Sequence, residues 1–199
     1  MVGLAALGRP YNTETIGMSE YRRLWIGGGT YFFTVVTHER RPIFAEDDAR
    51  AALRAAIAGV RARFPTEIVA IVLLPDHLHT VWTLPPGDAR FAMRWGRIKG
   101  EFSRSVAARS REGKSSDSRA AWKERAIRQR RFWEHACRDE ADLKRCVDYI
   151  HWNPVKHGLV HQVRDYPWSS FHRHVRAGES DVSWGGSEPA PSCVGEGWE

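Results

Sequence analysis

The chain has 199 residues, 42% of them hydrophobic and 27% charged, with a net charge of +6. It is long enough for one domain with a proper core, and no apolar run approaches the roughly 18 residues a membrane span needs. Three scattered cysteines (Cys137, Cys146 and Cys193) with no Cys-x-x-Cys pair exclude a disulfide framework and a zinc knuckle, and fit reduced thiols in a cytoplasmic protein.

Residues 1–17 are rich in Gly, Ala and Thr without periodicity, and are expected to be a disordered extension before a more natural start at Met18. Gly27-Gly28-Gly29 then leads into Thr30 to Thr37, an aromatic and β-branched run that predicts a strand. Glu46 to Phe64 carries Leu53, Ile57 and Val60 on one helical stripe and is closed by Pro65. Glu67 to Leu74 predicts a second strand, central by its nearly continuous hydrophobicity. Asp76 to Leu84 predicts a third, joined to it by a link short enough for an antiparallel hairpin. Asp88 is placed to cap a helix from Ala89 to about Ala108. The order β-α-β-β-α begins a ferredoxin-like split βαβ sandwich, an α+β fold.

Residues 110–121 are rich in Ser, Gly and charge and predict a flexible loop; a short strand is expected between Arg125 and Trp133. From Asp139 onward, Leu143, Cys146, Val147 and Ile150 define a buried helical stripe, with Pro154 limiting the helix. A short helix follows Pro167. Residues 178–199 predict an extended or disordered tail in which Trp184 could dock on the body. The catalytic domain is thus expected over residues 18–177.

Two segments carry chemistry. In a strand, His77 and His79 emerge on the same side, about 7 Å apart, while Leu78 points into the opposite layer. Such a pair can share a divalent cation; it also suits two half-exposed strand histidines with no metal. Tyr149 and Asn153 are four apart on one helix face: they suit a core-edge tyrosine and a helix-terminating Asn, or a site to which Asn153 could add an amide oxygen as a third ligand. A phenolate can stay covalently attached to phosphate, and a cation can polarise and orient that phosphate. Between Arg94 and Arg131 there are 13 Lys/Arg against 4 Asp/Glu, so a basic block sits inside an otherwise acidic chain. It suits single-stranded nucleic acid, or a solvated helix face with a loop.

Pro75-Asp76-His77-Leu78-His79 resembles the His-hydrophobe-His motif of single-tyrosine transposases. Asp148 to Gly158 (DYIHWNPVKHG) resembles the tyrosine-helix signature of the branch associated with repetitive extragenic palindromes (REPs). Tyr21-Arg22-Arg23, Gly28 to Thr34, Arg131 to His135 and Trp168 to Arg173 add matching segments. The resemblance implies that Tyr149 attacks a phosphate of single-stranded DNA, leaving a 5′-phosphotyrosine and a free 3′-OH. It implies Mg²⁺ or Mn²⁺ held by His77, His79 and Asn153, and hairpin DNA as partner of a monomer or homodimer at the nucleoid. The cations expected to meet DNA are Arg22, Arg23, Arg97, Lys99, Arg130, Arg131 and Lys156. The alternative in the same fold is a hairpin-binding protein with little catalysis. A zinc hydrolase built on the two histidines lacks an acidic third ligand and leaves Tyr149 and Asn153 without a purpose.

Overall fold

The computed structural model describes residues 25–111 and 132–185. Strand β1 (Thr30–Val36) leads through two short 3-10 turns into helix α1 (Asp47–Arg63). Strands β2 (Glu67–Leu73) and β3 (His77–Thr83) form the expected hairpin, followed by helix α2 (Phe91–Arg111), strand β4 (Trp133–Ala136), helix α3 (Glu140–Lys156) and the short helix α4 (Phe171–Arg176). All strand pairs are antiparallel and the sheet order is β2-β3-β1-β4, the split βαβ arrangement. Among the described residues, no helix is long and apolar enough to cross a membrane.

The period-two alternation of the strands divides the molecule into two layers. Tyr31, Phe33, Leu78 and Trp82 face α1 and α2, where they pack with Leu53, Phe91, Trp95 and Ile98. Trp82 and Trp95 stack with centroids 4.3 Å apart, and Phe33 meets Trp82, Phe91 and Trp95 within 5.6 Å. Aromatic pairs of this kind add about 0.5–1.5 kcal/mol each beyond their buried area. Phe32, Ala70, Val72 and Val81 face the other way, onto Cys146, Tyr149 and Ile150 of α3. One strand therefore feeds two cores: Leu78 fixes β3 against the paired helices while its histidine neighbours face α3.

Several expectations need correction. Strand β2 is not central but at the end of the sheet. Its continuous hydrophobicity reflects a covered edge, because the chain returns 99 residues later to pair with it. Leu73 N–H donates to Trp168 O (3.0 Å), Ser170 N–H to Ile71 O (2.8 Å), Ile71 N–H to Ser170 Oγ (2.9 Å) and Tyr166 Oη to Leu73 O (2.7 Å). Among the described residues, this returning segment occupies part of the edge that would otherwise be open to another chain. Asp88 is not the cap of α2, which begins at Phe91. Its carboxylate instead accepts the Arg90 N–H (2.7 Å) and both terminal nitrogens of the buried Arg94. The hydrogen bond from Arg94 is the chief reason that carboxyl lies far below its ordinary pKa. Helix α2 runs through Ser110 and Arg111, where a loop was expected; the rest of that loop and residues 125–131 lie outside the described residues. The last strand, Trp133–Ala136, begins at the final residue of the stretch expected to hold it and runs beyond it.

Helix α3 is capped by Asp139, whose side chain accepts the Asp142 N–H at 2.7 Å, and it does not stop at Pro154. It continues to Lys156 because Gly158, at φ +66°, turns the chain so that its N–H bonds Val155 O and the Leu159 N–H bonds Pro154 O. A glycine in the left-handed region is the usual means of closing a helix in this way. Residues 178–185 return to the body: the Trp184 ring lies 6.1 Å from that of Phe171, and Gly185 is buried against Val163 and Trp152.

Candidate active site

β3 places His77 and His79 on the α3 face of the sheet, opposite Val36 and Thr34 of β1. Far from being half-exposed, they are 1% and 0% exposed, with ring centroids 4.9 Å apart. Burying two imidazoles requires partners for their nitrogens. Asp76 Oδ1 lies 2.6 Å from His77 Nδ1, and Thr34 Oγ1 lies 2.9 Å from His79 Nδ1. With Nδ1 protonated and donating in each ring, Nε2 carries the lone pair that could ligate a cation. The buried Nε2 of His77 has no hydrogen-bond partner among the described residues. Asn153 is wholly buried on the helix that covers this face. Two neutral imidazoles and an amide oxygen fit a divalent cation bound weakly and completed by substrate oxygens.

Asp76 is itself held. Arg40 donates to its other oxygen at 3.1 Å from a turn in which Glu39 and Arg40 both adopt positive φ, 53° and 50°. Two such residues in succession cost on the order of 1–3 kcal/mol each, so the turn is held by its surroundings. Burial opposes ionisation of Asp76, but the hydrogen bonds from His77 and Arg40 outweigh it and keep the carboxyl below its ordinary pKa.

Helix α3 brings Tyr149 to the same place. Its ring is 2% exposed, 5.5 Å from that of His79 and 6.0 Å from that of Phe32. Lys156 Nζ donates to Tyr149 Oη at 3.0 Å. His157 lies at the helix end with its ring 5.1 Å from that of His77. His77, His79, Tyr149, Asn153 and Lys156 thus gather about one sheet face. Arg97 and Lys99 do not join them: they sit on α2, across the sheet, over the rings of Phe64 (4.7 Å) and Phe132 (5.5 Å). Arg22, Arg23, Arg130 and Arg131 lie outside the described residues.

Asp76, Thr34, Arg40 and His157 escaped sequence reasoning. Asp76 had a local signal, a carboxylate directly before the histidine pair. Thr34 is opposite His79 only through the β1–β3 register.

A second group of potential ligands, His135, Asp142 and Cys146, presents one donor atom each within 4.8 Å of one another. Both Asp142 oxygens are already engaged: Oδ2 by His135 Nε2 (2.9 Å) and by the backbone and Nε of Arg138, Oδ1 by Arg145. The group therefore reads as an ion network tying β4 to α3. Burial raises the Asp142 pKa, but the Arg138 N–H and His135 outweigh it and bring the carboxyl down to about 2. A lowered carboxylate pKa contributes stability above the unfolded value of 3.8 and loses it as pH falls through the folded value. Asp142→Asn should cost about 2 kcal/mol near neutrality by urea titration. The gap to wild type should close between pH 3.8 and about 2; a gap independent of pH would remove the charge from the explanation.

His151, on the inner face of α3, is pushed down to about 3 by burial first and then by His174, Arg173 and His172. It stays neutral at physiological pH and bonds Ser170 Oγ at 3.0 Å. Its position anchors the helix carrying Tyr149 to the segment that covers β2.

A four-stranded sheet with two helices on one face, and a histidine pair meeting a helical tyrosine on the other, defines an α+β protein with a candidate site between its sheet and α3. The family described as "Transposase IS200 like" matches residues 28–153. A REP-associated tyrosine transposase of Escherichia coli K12 is 44% identical over 169 residues, covering 85% of this chain and 92% of its own. A Haemophilus influenzae protein assigned to the same class is 42% identical over 170 residues, covering 85% and 95%. The solved structure of a REP-associated tyrosine transposase bound to a REP hairpin superposes with a TM-score of 0.70 at 40% identity, covering 89% of this chain and 99% of that one. The chain belongs to the IS200-like transposase family and, within it, to the REP-associated tyrosine transposases. It is accordingly an enzyme of DNA strand transfer.

Proposed function

We propose that this transposase binds REP hairpins of chromosomal DNA and cleaves and rejoins the adjoining single strand through Tyr149. The observation that carries the reading is the placement of Tyr149 against His79 on one buried sheet face, with its hydroxyl turned to a cation. Tyr149 Oη attacks phosphorus, the bond from phosphorus to the 3′ oxygen breaks, and the DNA 5′ end stays on the enzyme as a phosphotyrosine. The phenolic proton passes to solvent and the departing 3′ oxygen gains one; rejoining reverses each change. His77, His79 and Asn153 would hold Mg²⁺ or Mn²⁺, which when bound polarises the scissile phosphate and orients it for in-line attack. Because one helix carries both Tyr149 and Asn153, the nucleophile is placed relative to the cation site by a single rigid element. The REP hairpin in the solved relative's complex supports the choice of DNA.

The test is a denaturing gel of the protein with labelled hairpin oligonucleotide and Mn²⁺. A DNA–protein adduct that disappears on chelation is expected. Tight hairpin binding with no adduct at any metal concentration would leave a binding protein of the same fold.

We further propose that Arg97 and Lys99 contact phosphates of a strand that runs over α2. Reversing each charge should then reduce the slope of log affinity against log salt by about 0.7–0.9 per contact. An unchanged slope would return both side chains to their role over Phe64 and Phe132.

A further inference from the structure

Lys156, two residues beyond Pro154, is expected from the sequence to contact DNA, but its ammonium is directed to the nucleophile. Nζ lies over the Tyr149 ring, 4.8 Å from its centroid, and is displaced to the oxygen end, where it donates to Oη at 3.0 Å. Several features combine to put it there. Lys156 is seven residues from Tyr149, two turns along the same face, and helical side chains lean toward the N-terminus, which brings the stem back toward the tyrosine. The helix has to continue past Pro154 for this, and the turn at Gly158 allows it. Lys156 is exposed while Tyr149 is 2% exposed, so a cation from the solvent side of the helix reaches the buried tyrosine at its reacting oxygen.

We propose that Lys156 is a catalytic residue of strand cleavage and rejoining, holding Oη of Tyr149 and stabilising the negative charge that gathers on it. The inference rests on the phosphotyrosine reading above. When the bond from Oη to phosphorus forms, the oxygen has given up its proton but not yet shared its full charge. When that bond breaks in rejoining, charge returns to the same atom before a proton does. Both directions cross the same transition state, and an N⁺–H aimed at Oη lowers its energy from a position already set in the free enzyme. A phosphate contact would instead act on binding, equally before and during reaction.

The experiment compares wild type, Lys156→Gln and Lys156→Arg as full chains. Single-turnover adduct formation on a labelled hairpin oligonucleotide is followed at saturating protein with Mn²⁺, and hairpin Kd is measured separately. Lys156→Gln is expected to slow the saturated rate roughly ten- to a hundredfold, the effect of losing one charge-assisted hydrogen bond. Its Kd should change less than about threefold, and Lys156→Arg should recover most of the rate. A saturated rate unchanged in Lys156→Gln overturns the proposal, and a Kd weakened about tenfold alongside it makes Lys156 a phosphate contact. If wild type forms no adduct, the phosphotyrosine reading fails and this inference with it; that outcome shows in the wild-type lane alone. The exposed position of Lys156 makes misfolding an unsuitable explanation, and equal thermal melts of the three proteins check it.

Discussion

Tyr149→Phe should remove the DNA–protein adduct entirely while leaving hairpin affinity within about twofold of wild type. The substitution deletes one oxygen from a ring that packs against Phe32 and His79, so the buried surface of α3 is preserved. What it loses is the atom proposed to bond phosphorus, and among the described neighbours Lys156 and His157 would give labile phosphoramides, not a phosphate ester. The cost in stability should be within about 1.5 kcal/mol, the range for one hydrogen bond, because the Oη–Lys156 contact lies at the surface end of the ring. An adduct of undiminished yield in Tyr149→Phe would place the nucleophile elsewhere. A peptide map of the wild-type adduct would then locate it.

The second large effect is expected at the histidine pair. Manganese binding, read from the loss of the free-ion EPR signal, should be weakened at least tenfold by His79→Ala and by His77→Ala, and the adduct should become undetectable in both. His79 also fills space between Phe32 and Tyr149 and bonds Thr34, so its replacement should lower stability as well. His79→Gln, which keeps more of the volume, separates the two effects: it should retain most of the stability and still lose manganese. The His135, Asp142 and Cys146 group gives the contrary outcome a definite form. Binding that survives His79→Gln but fails in His135→Ala would move the cation to that cluster and leave Asn153 without its proposed part.

Much of this site was legible in the chain because its parts are local. Alternation in a strand puts His77 and His79 on one side of β3 whatever surrounds it. Helical periodicity likewise puts Tyr149 above Asn153, and the stripe through Cys146 and Ile150 decides which face of α3 is buried. The chain order β-α-β-β-α and the short Pro75-Asp76 link led to the split βαβ arrangement for the same reason: each step depends on residues within one turn, pleat or hairpin.

What the sequence by itself determined, then, is the set of elements, the face each one buries, and the pairing of two histidines with a tyrosine helix as candidate chemistry. The tertiary structure alone decided how the layers meet. It put the α2 cations Arg97 and Lys99 on the far side of the sheet from Tyr149, although charge counting had grouped them with the site. It made β2 an edge covered in part by the returning segment around Ser170, which hydrophobicity could not distinguish from a central strand because both hide their faces from water. It matched Thr34 to His79 through strand register and brought Arg40 to Asp76 through a turn with two left-handed residues. It carried Lys156 past Pro154 onto the tyrosine oxygen. Each of these depends on contacts between elements, where whole faces are buried together and register follows from packing; no spacing within one element encodes them.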